Sequence, residues 1–352
     1  MKIKTAIAGA SGYSGEELVK LLLHHPSVDL CAITSRQYAG QSLAQVFPKF
    51  AHLPGAGKLL FSEPNAASLA EKAEVIFLAL PHGVSAELAV PLIAADRRVI
   101  DLSADFRLKS AQVYREFYGH EHPAPQLLAE SVYGLPELYR SRLPQARLVA
   151  SPGCYPTSIL LPLIPLLREQ VIQREGIVVN SLSGVSGAGR KAELDYLFVE
   201  CNESMRPYGV PKHRHLSEIE QELSAAAGQG MIIQFTPHLI PLNRGMITTI
   251  CARPGESIQD APGLDRLKKR LAAIFQEAYG NEPFIRLLPD KALPDSKNVS
   301  GTNVVEIAWR LDARTGNLLL MSALDNLVKG ASGQAVQCFN ALYGLPETAG
   351  LL

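Results

Sequence analysis

Cysteine is scarce and poorly placed for cross-links: the five in 352 residues, Cys31, Cys154, Cys201, Cys251 and Cys338, are odd in number, scattered, and never spaced as CxxC. A disulfide framework and a zinc ribbon are excluded by that spacing, and a reducing cytoplasm is the expected compartment. Charge of one sign is missing as well. Lys plus Arg and Asp plus Glu number 34 each, so nothing draws the chain toward nucleic acid or an anionic membrane. Apolar runs such as 159–167 are interrupted by proline and fall far short of the roughly 20 residues that a membrane span needs. The opening Met1-Lys2-Ile3-Lys4 leads straight into a strand, without the apolar stretch or cleavage site of a signal peptide. Neither an internal repeat nor a low-complexity tract is present. What remains is an ordinary globular composition, 47% hydrophobic and 19% charged, long enough for about two domains.

The hydrophobic pattern divides the chain. Residues 4–8 read as a strand, 9–15 as a turn and 16–24 as an amphipathic helix with Leu18, Leu21 and Leu22 on its apolar side. Further strands at 28–33, 75–80, 99–102 and 146–150 are apolar on both sides, as buried parallel strands are. This predicts an α/β fold with a Rossmann-type doubly wound parallel sheet. Beyond it, 177–183, 231–236, 246–252, 284–288, 304–311 and 317–323 are strand-like, with a hairpin turn at Arg314-Thr315-Gly316-Asn317. Helices are expected at 159–167, 217–226 and 264–279, the second opening with Ser217 and Glu220 at capping-box spacing. A mainly antiparallel sheet with a few helices predicts an α+β second domain. The segment 330–342, with Ala335, Val336, Phe339 and Leu342 on one stripe, is helical and expected to return to the first domain. The expected domains are 1–150 with 326–352, and 151–325.

Two motifs carry chemistry. The turn Gly9-Ala10-Ser11-Gly12-Tyr13-Ser14-Gly15 has glycine at every third position between a strand and a helix, where backbone N–H groups meet a pyrophosphate. A tight turn of purely structural purpose is the alternative. An NAD-type site usually has a carboxylate at the end of the second strand to bind the ribose; here that place reads Thr34-Ser35-Arg36. A hydroxyl beside a guanidinium suits a 2′-phosphate, which predicts NADP(H), unless Arg36 is only a solvated loop cation. The second motif is Ser151-Pro152-Gly153-Cys154-Tyr155-Pro156-Thr157-Ser158, turn formers running into a helix. A thiol there faces free N–H groups and the positive end of the helix dipole, which favour thiolate. Cysteine is otherwise a small hydrophobe, the reading adopted for Cys31, Cys251 and Cys338. A nucleophilic sulfur together with a nicotinamide site implies an aldehyde or acyl-phosphate oxidoreductase working through a thioester.

With these motifs, the stretches Asp101-Leu102-Ser103-Ala104-Asp105-Phe106-Arg107, Tyr133-Gly134-Leu135-Pro136-Glu137, Ser183-Gly184-Val185-Ser186-Gly187-Ala188-Gly189-Arg190, His213-Arg214-His215 and Pro237-His238-Leu239-Ile240-Pro241 follow in order. The sequence resembles the N-acetyl-γ-glutamyl-phosphate reductases, relatives of aspartate-semialdehyde dehydrogenase, over nearly the whole chain. The resemblance implies reduction of N-acetyl-5-glutamyl phosphate to the semialdehyde and phosphate with NADPH, in arginine biosynthesis. It also implies a small-molecule substrate and a homo-oligomer, a dimer or tetramer. Cys154 is then the nucleophile, and the catalytic histidine falls at His213 rather than His215, which is left to substrate. His213 is expected to serve as an imidazolium that stabilises the thiolate and then as a neutral base. Arg107 and Arg190 become oxyanion-binding candidates, although either can be a plain solvated cation. Ser186, Gly187 and Asn326 become cofactor contacts, and no metal is expected. Reduction of a carrier-linked aminoadipyl phosphate and a non-catalytic NADP-binding regulator are the competing readings.

Overall fold

The computed structural model describes residues 2–53, 55–256 and 261–352. The chain forms two compact units, residues 1–152 with 331–352, and residues 153–330. In the first, β1 (Ile3–Ala8), β2 (Val28–Thr34), β3 (Phe61–Ser62), β4 (Val75–Leu78), β5 (Arg98–Asp101), β6 (Val132–Tyr133) and β7 (Leu148–Ala150) make one sheet in the order β3-β2-β1-β4-β5-β7-β6. Every pairing in it is parallel. Ala6, Ile7, Val75, Ile76, Phe77 and Leu78 are fully buried, as two-sided coverage by helices requires. The order reverses between β1 and β4, and the crevice at such a reversal, at the carboxyl ends of the strands, is where doubly wound sheets take ligands. The glycine turn follows β1 and therefore lies there.

The C-terminal helix Gly333–Leu342 is buried along its whole length, and the polar row opposite its apolar stripe, Gln334, Gln337 and Asn340, is hydrogen-bonded within the protein. It belongs to the first unit, where Asn340 Oδ1 meets His25 Nε2 at 2.8 Å and Leu342 O accepts from Arg98 Nη1 at 3.0 Å. A π-helical turn, Val328–Ser332, precedes it.

The second unit carries β8 (Val178–Gly184), β9 (Arg206–Pro207), β10 (Gln234–Ile240), β11 (Met246–Ala252), β12 (Ile285–Leu287), β13 (Val305–Asp312) and β14 (Asn317–Leu324), ordered β12-β13-β14-β11-β8-β10-β9. Its pairings are antiparallel except β12 with β13 and β10 with β8. Gly316 closes the β13–β14 hairpin at φ +75° and donates to Asp312 O at 2.8 Å; only glycine takes that conformation without strain. Helix Cys154–Arg168 packs on β11 and β14 and is flanked by helices His215–Ala227 and Ala261–Tyr279. Two expectations are corrected here. The first of these helices begins at Cys154, not at 159. The helix expected to open at a Ser217–Glu220 capping box begins at His215: Ser217 Oγ bonds back to Arg214 O at 2.8 Å, and Glu220 accepts from Ile233 N instead. No helix among the described residues is long and apolar enough to cross a membrane.

Candidate active site

The glycine turn of the first unit is bolted to the end of β2. Gly9 N–H donates to Thr34 Oγ1 at 3.2 Å, Ala10 N–H to Thr34 O at 3.0 Å, and the Ser11 and Ser35 hydroxyls lie 2.8 Å apart. Its three glycines answer different demands. A Cβ on Gly9, which sits at φ +85°, would lie 2.3 Å from Ala79 O, and one on Gly15 would lie 2.2 Å from Gly9 O. Those two are required by the protein's own packing. A Cβ on Gly12 would meet no protein atom closer than 3.8 Å, yet Gly12 is the N-cap of helix Tyr13–His24 and gives it no side-chain cap. A bare helix start facing open space is the fit expected of a pyrophosphate site. Ser14 is half-buried and its carbonyl accepts from Ser332 Oγ at 2.8 Å; Tyr13 and Arg36 are exposed.

Cys154 is the first residue of its helix. Gly153 is the N-cap at φ −73°, ψ 163°, again without a side-chain cap, and Cys154 is partly buried. The entry is fixed from two sides. The buried Glu218 carboxylate accepts Gly153 N–H at 3.1 Å, and Gly330 lies so close that a Cβ there would stand 2.6 Å from Cys154 Cβ. Gly330 is held in turn by Asp325, whose main-chain oxygen takes Gly330 N–H at 2.9 Å and whose buried carboxylate takes Leu327, Val328 and Gly301 N–H.

Next along the helix, the Tyr155 ring meets His213 at 5.6 Å and His215 at 5.9 Å between centroids, and its hydroxyl is 2.8 Å from that of Tyr208. Tyr208 and Phe235 also stand edge-on to His213, at 5.4 and 5.7 Å. Burial pushes both tyrosines well above the usual phenol range, and the Cys154 sulfur adds to the rise in each, while at Tyr208 the hydrogen bond with Tyr155 opposes it. Both histidines of the pair are thus gathered around the residue that follows the cysteine.

His213 corrects one expectation. Burial, aided by the Arg214 cation, pushes its imidazole down to about 4, so the ring is neutral near pH 7. Its Nδ1 accepts the His215 backbone N–H at 3.1 Å, which leaves the proton on Nε2. His213 therefore presents an N–H donor, not the imidazolium expected beside the thiolate.

Two family models span most of the chain. Residues 4–146 match the model for the semialdehyde dehydrogenase NAD binding domain, and residues 154–326 that for the semialdehyde dehydrogenase dimerisation domain. An N-acetyl-gamma-glutamyl-phosphate reductase from Akkermansia muciniphila is 55% identical over 351 residues, 99% of each chain. The chain belongs to the N-acetyl-gamma-glutamyl-phosphate reductase family. Relatives of the same name from Citrifermentans bemidjiense and Heliobacterium modesticaldum are 47% and 45% identical, each over 99% of this chain and 98% of theirs. In fold the chain is similar to aspartate semialdehyde dehydrogenase II of Vibrio cholerae, solved with ASA, at a TM-score of 0.71 and 17% identity over 97% of this chain and 98% of that one. It is likewise similar to the Candida albicans aspartate semialdehyde dehydrogenase solved with NADP, at 0.67 and 15% over 99% of both.

The other reductase residues expected from sequence fall unevenly. Ser186, Gly187 and Asn326 come together: Asn326 Nδ2 donates to Ser186 Oγ at 2.9 Å, and a Cβ on Gly187 would lie 3.7 Å from Asn326 Nδ2. Asn326 also accepts Gly245 N–H at 2.7 Å and is only 3% exposed. Its amide braces the loop that carries Ser186 and Gly187. Arg107 is buried in the first unit, where Nε donates to Ser151 O at 2.7 Å and Nη2 to Leu102 O at 2.8 Å. It laces together the chain leaving β5 and β7. Arg190 is exposed. His122 takes Ala124 N–H on Nδ1 at 2.9 Å and reaches Asp105 O at 2.6 Å through Nε2. Sequence reading missed Glu218, Gly330 and Tyr208; only the glycine after Lys329 carried a signal, and only once it is known what it faces.

Proposed function

We propose that this enzyme reduces N-acetyl-5-glutamyl phosphate to N-acetylglutamate 5-semialdehyde through a Cys154 thioester, with NADPH as the reductant. The observation that carries the reading is Cys154 at the first position of a helix, where the positive end of the helix dipole lowers a thiol's pKa. The thiolate Sγ attacks the acyl carbonyl carbon, and the carbon–oxygen bond to phosphorus breaks to release inorganic phosphate. When bound, NADPH supplies the hydride that reduces the thioester carbon. The carbon–sulfur bond then breaks, giving the aldehyde and returning the electron pair to Sγ. Each half of the reaction passes through a tetrahedral oxyanion, and the Nε2–H of His213 is the donor we assign to it. Collapse of that oxyanion expels its leaving group directly, so a neutral donor is sufficient. Turnover of NADPH with N-acetyl-5-glutamyl phosphate, or of NADP with semialdehyde and phosphate, tests the reading; absence of both reactions defeats it.

The same proposal puts the pyrophosphate at the bare start of helix Tyr13–His24, against Gly9 to Gly15, and the 2′-phosphate beside Ser35 and Arg36. Arg190 and His215 are assigned to substrate oxyanions, and Arg107 to holding main chain. Arg36→Ala is expected to weaken NADPH by roughly one to two decades while changing NADH little, as loss of a charge-assisted hydrogen bond of about 1.5–3 kcal/mol would do. Fluorescence titration with both nucleotides checks it; equal weakening would assign Arg36 to solvent. Self-association belongs to the proposal too. Leu194, Leu197, Phe198, Val199 and Met205 are each at least half exposed within the region matching the dimerisation domain, and a second copy of the chain is the expected cover for such a patch.

A further inference from the structure

The helix that presents Cys154 reads CYPTSILLPLIPLLR. Proline has no N–H, so in an α-helix Pro162 cannot donate to the carbonyl of Ser158, nor Pro165 to that of Leu161. Every residue from Tyr155 to Leu167 is buried, where an unanswered carbonyl is destabilising. Both are answered from outside the helix. Ser322 Oγ donates to Ser158 O and the Tyr279 hydroxyl donates to Leu161 O, each at 2.7 Å.

Ser322 is one of a row. Ser181 of β8, Thr248 of β11 and Ser322 of β14 stand opposite one another in register, and all three are fully buried. Thr248 Oγ1 lies 2.8 Å from Ser158 Oγ and 2.7 Å from Ser181 Oγ, while Ser158 Oγ donates to Tyr155 O at 2.9 Å. Those three bonds need three protons and each hydroxyl has one to give. The direction is therefore fixed: Ser181 donates to Thr248, Thr248 to Ser158, and Ser158 to the carbonyl of Tyr155. The relay ends one residue from the sulfur. Its other branch, through Ser322, grips the same residue, Ser158, by its main-chain oxygen.

Apolar contact between a helix and a sheet is non-directional, whereas hydrogen bonds are sharply directional. We propose that Ser322 and Thr248 are positioning residues for the nucleophile: donors on the sheet take the place of a helix donor removed by proline, and so set the height and rotation of Cys154. The inference rests on the reading of Cys154 as the nucleophile. It goes beyond that reading by assigning the accuracy of its placement to hydroxyls of the sheet beneath.

A double-substitution cycle tests it. Ser322→Ala is expected to lower kcat about tenfold with KM unchanged, and to slow alkylation of Cys154 by iodoacetamide with a displaced pH profile. Pro162→Ala restores an N–H that can answer Ser158 within the helix, so adding it to Ser322→Ala should recover most of the loss. Ser322→Thr keeps the hydroxyl and should stay near wild type. Thr248→Val has nearly the same shape without the hydroxyl and gives an independent arm if Ser322→Ala does not fold. A fall in the unfolding midpoint alone, with alkylation and kcat unmoved in the variants that fold, overturns the proposal. So does a Ser322→Ala defect that Pro162→Ala fails to relieve. An altered alkylation profile with unchanged turnover upholds the docking and instead removes the thiol from the mechanism, so the two readings fail separately.

Discussion

Cys154→Ser is expected to reduce turnover on the order of a thousandfold or more and to leave NADP(H) affinity nearly unchanged. A hydroxyl at the same helix start gains far less than a thiol, because the field of a helix end cannot ionise a group whose pKa lies so far above neutrality. The separation of effects follows from the architecture: the cysteine belongs to residues 153–330, whereas the glycine turn belongs to the other compact unit. Single-turnover kinetics and cofactor titration on one preparation measure both quantities. Full activity in Cys154→Ser together with an inactive Cys201→Ser would move the nucleophile to the wrong side of this account.

The second large effect is expected at His213. Removal of one oxyanion donor lowers kcat by about 10²–10³ in other enzymes, and His213→Asn should fall in that range. His213→Gln, whose amide reaches closer to the Nε2 position, should retain much more. Because the ring is neutral near pH 7, neither substitution should displace the pH profile of Cys154 alkylation appreciably. A displaced profile would restore the imidazolium reading. The same ring has a signature in stability. Its folded-state pKa, about 4, lies below the ordinary histidine value of 6.5, so between those values the unfolded chain binds the additional proton. The stability associated with keeping the ring neutral is intact above about pH 6.5 and is lost as pH falls toward about 4, roughly 3 kcal/mol in all. His213→Asn should remove that part of the acid slope in urea titrations, while His25 and His122, also depressed by burial, keep theirs.

The parts of this fold that repeat along the chain could be read from it. The strand-like run Met246–Ala252 matched β11 to the residue, and continuous apolar runs marked the buried parallel strands to within two or three positions. The two-residue strands Phe61–Ser62, Val132–Tyr133 and Arg206–Pro207 could not be read, since so short a segment has no period. Within the Cys154 helix, Pro162 and Pro165 run against helix propensity, and tertiary bonds from Ser322 and Tyr279 supply what propensity lacks. At the candidate site, the turn and helix start around Cys154 could be read locally, whereas the His213–His215 pair, Arg107 and Asn326 were singled out only through family resemblance. Glu218, Gly330 and the row Ser181, Thr248 and Ser322 could not be read, because their meaning depends on register and on approach between distant segments.

The prolines of the Cys154 helix also bear on how the chain matures. Cut off from its sheet, a helix of this length missing two internal bonds would melt, since short helices are marginal even with every bond in place. Under the proposed mechanism, the helix start that serves Cys154 therefore exists only once the second unit has closed around it, so the thiol would gain its activating surroundings with folding and not before.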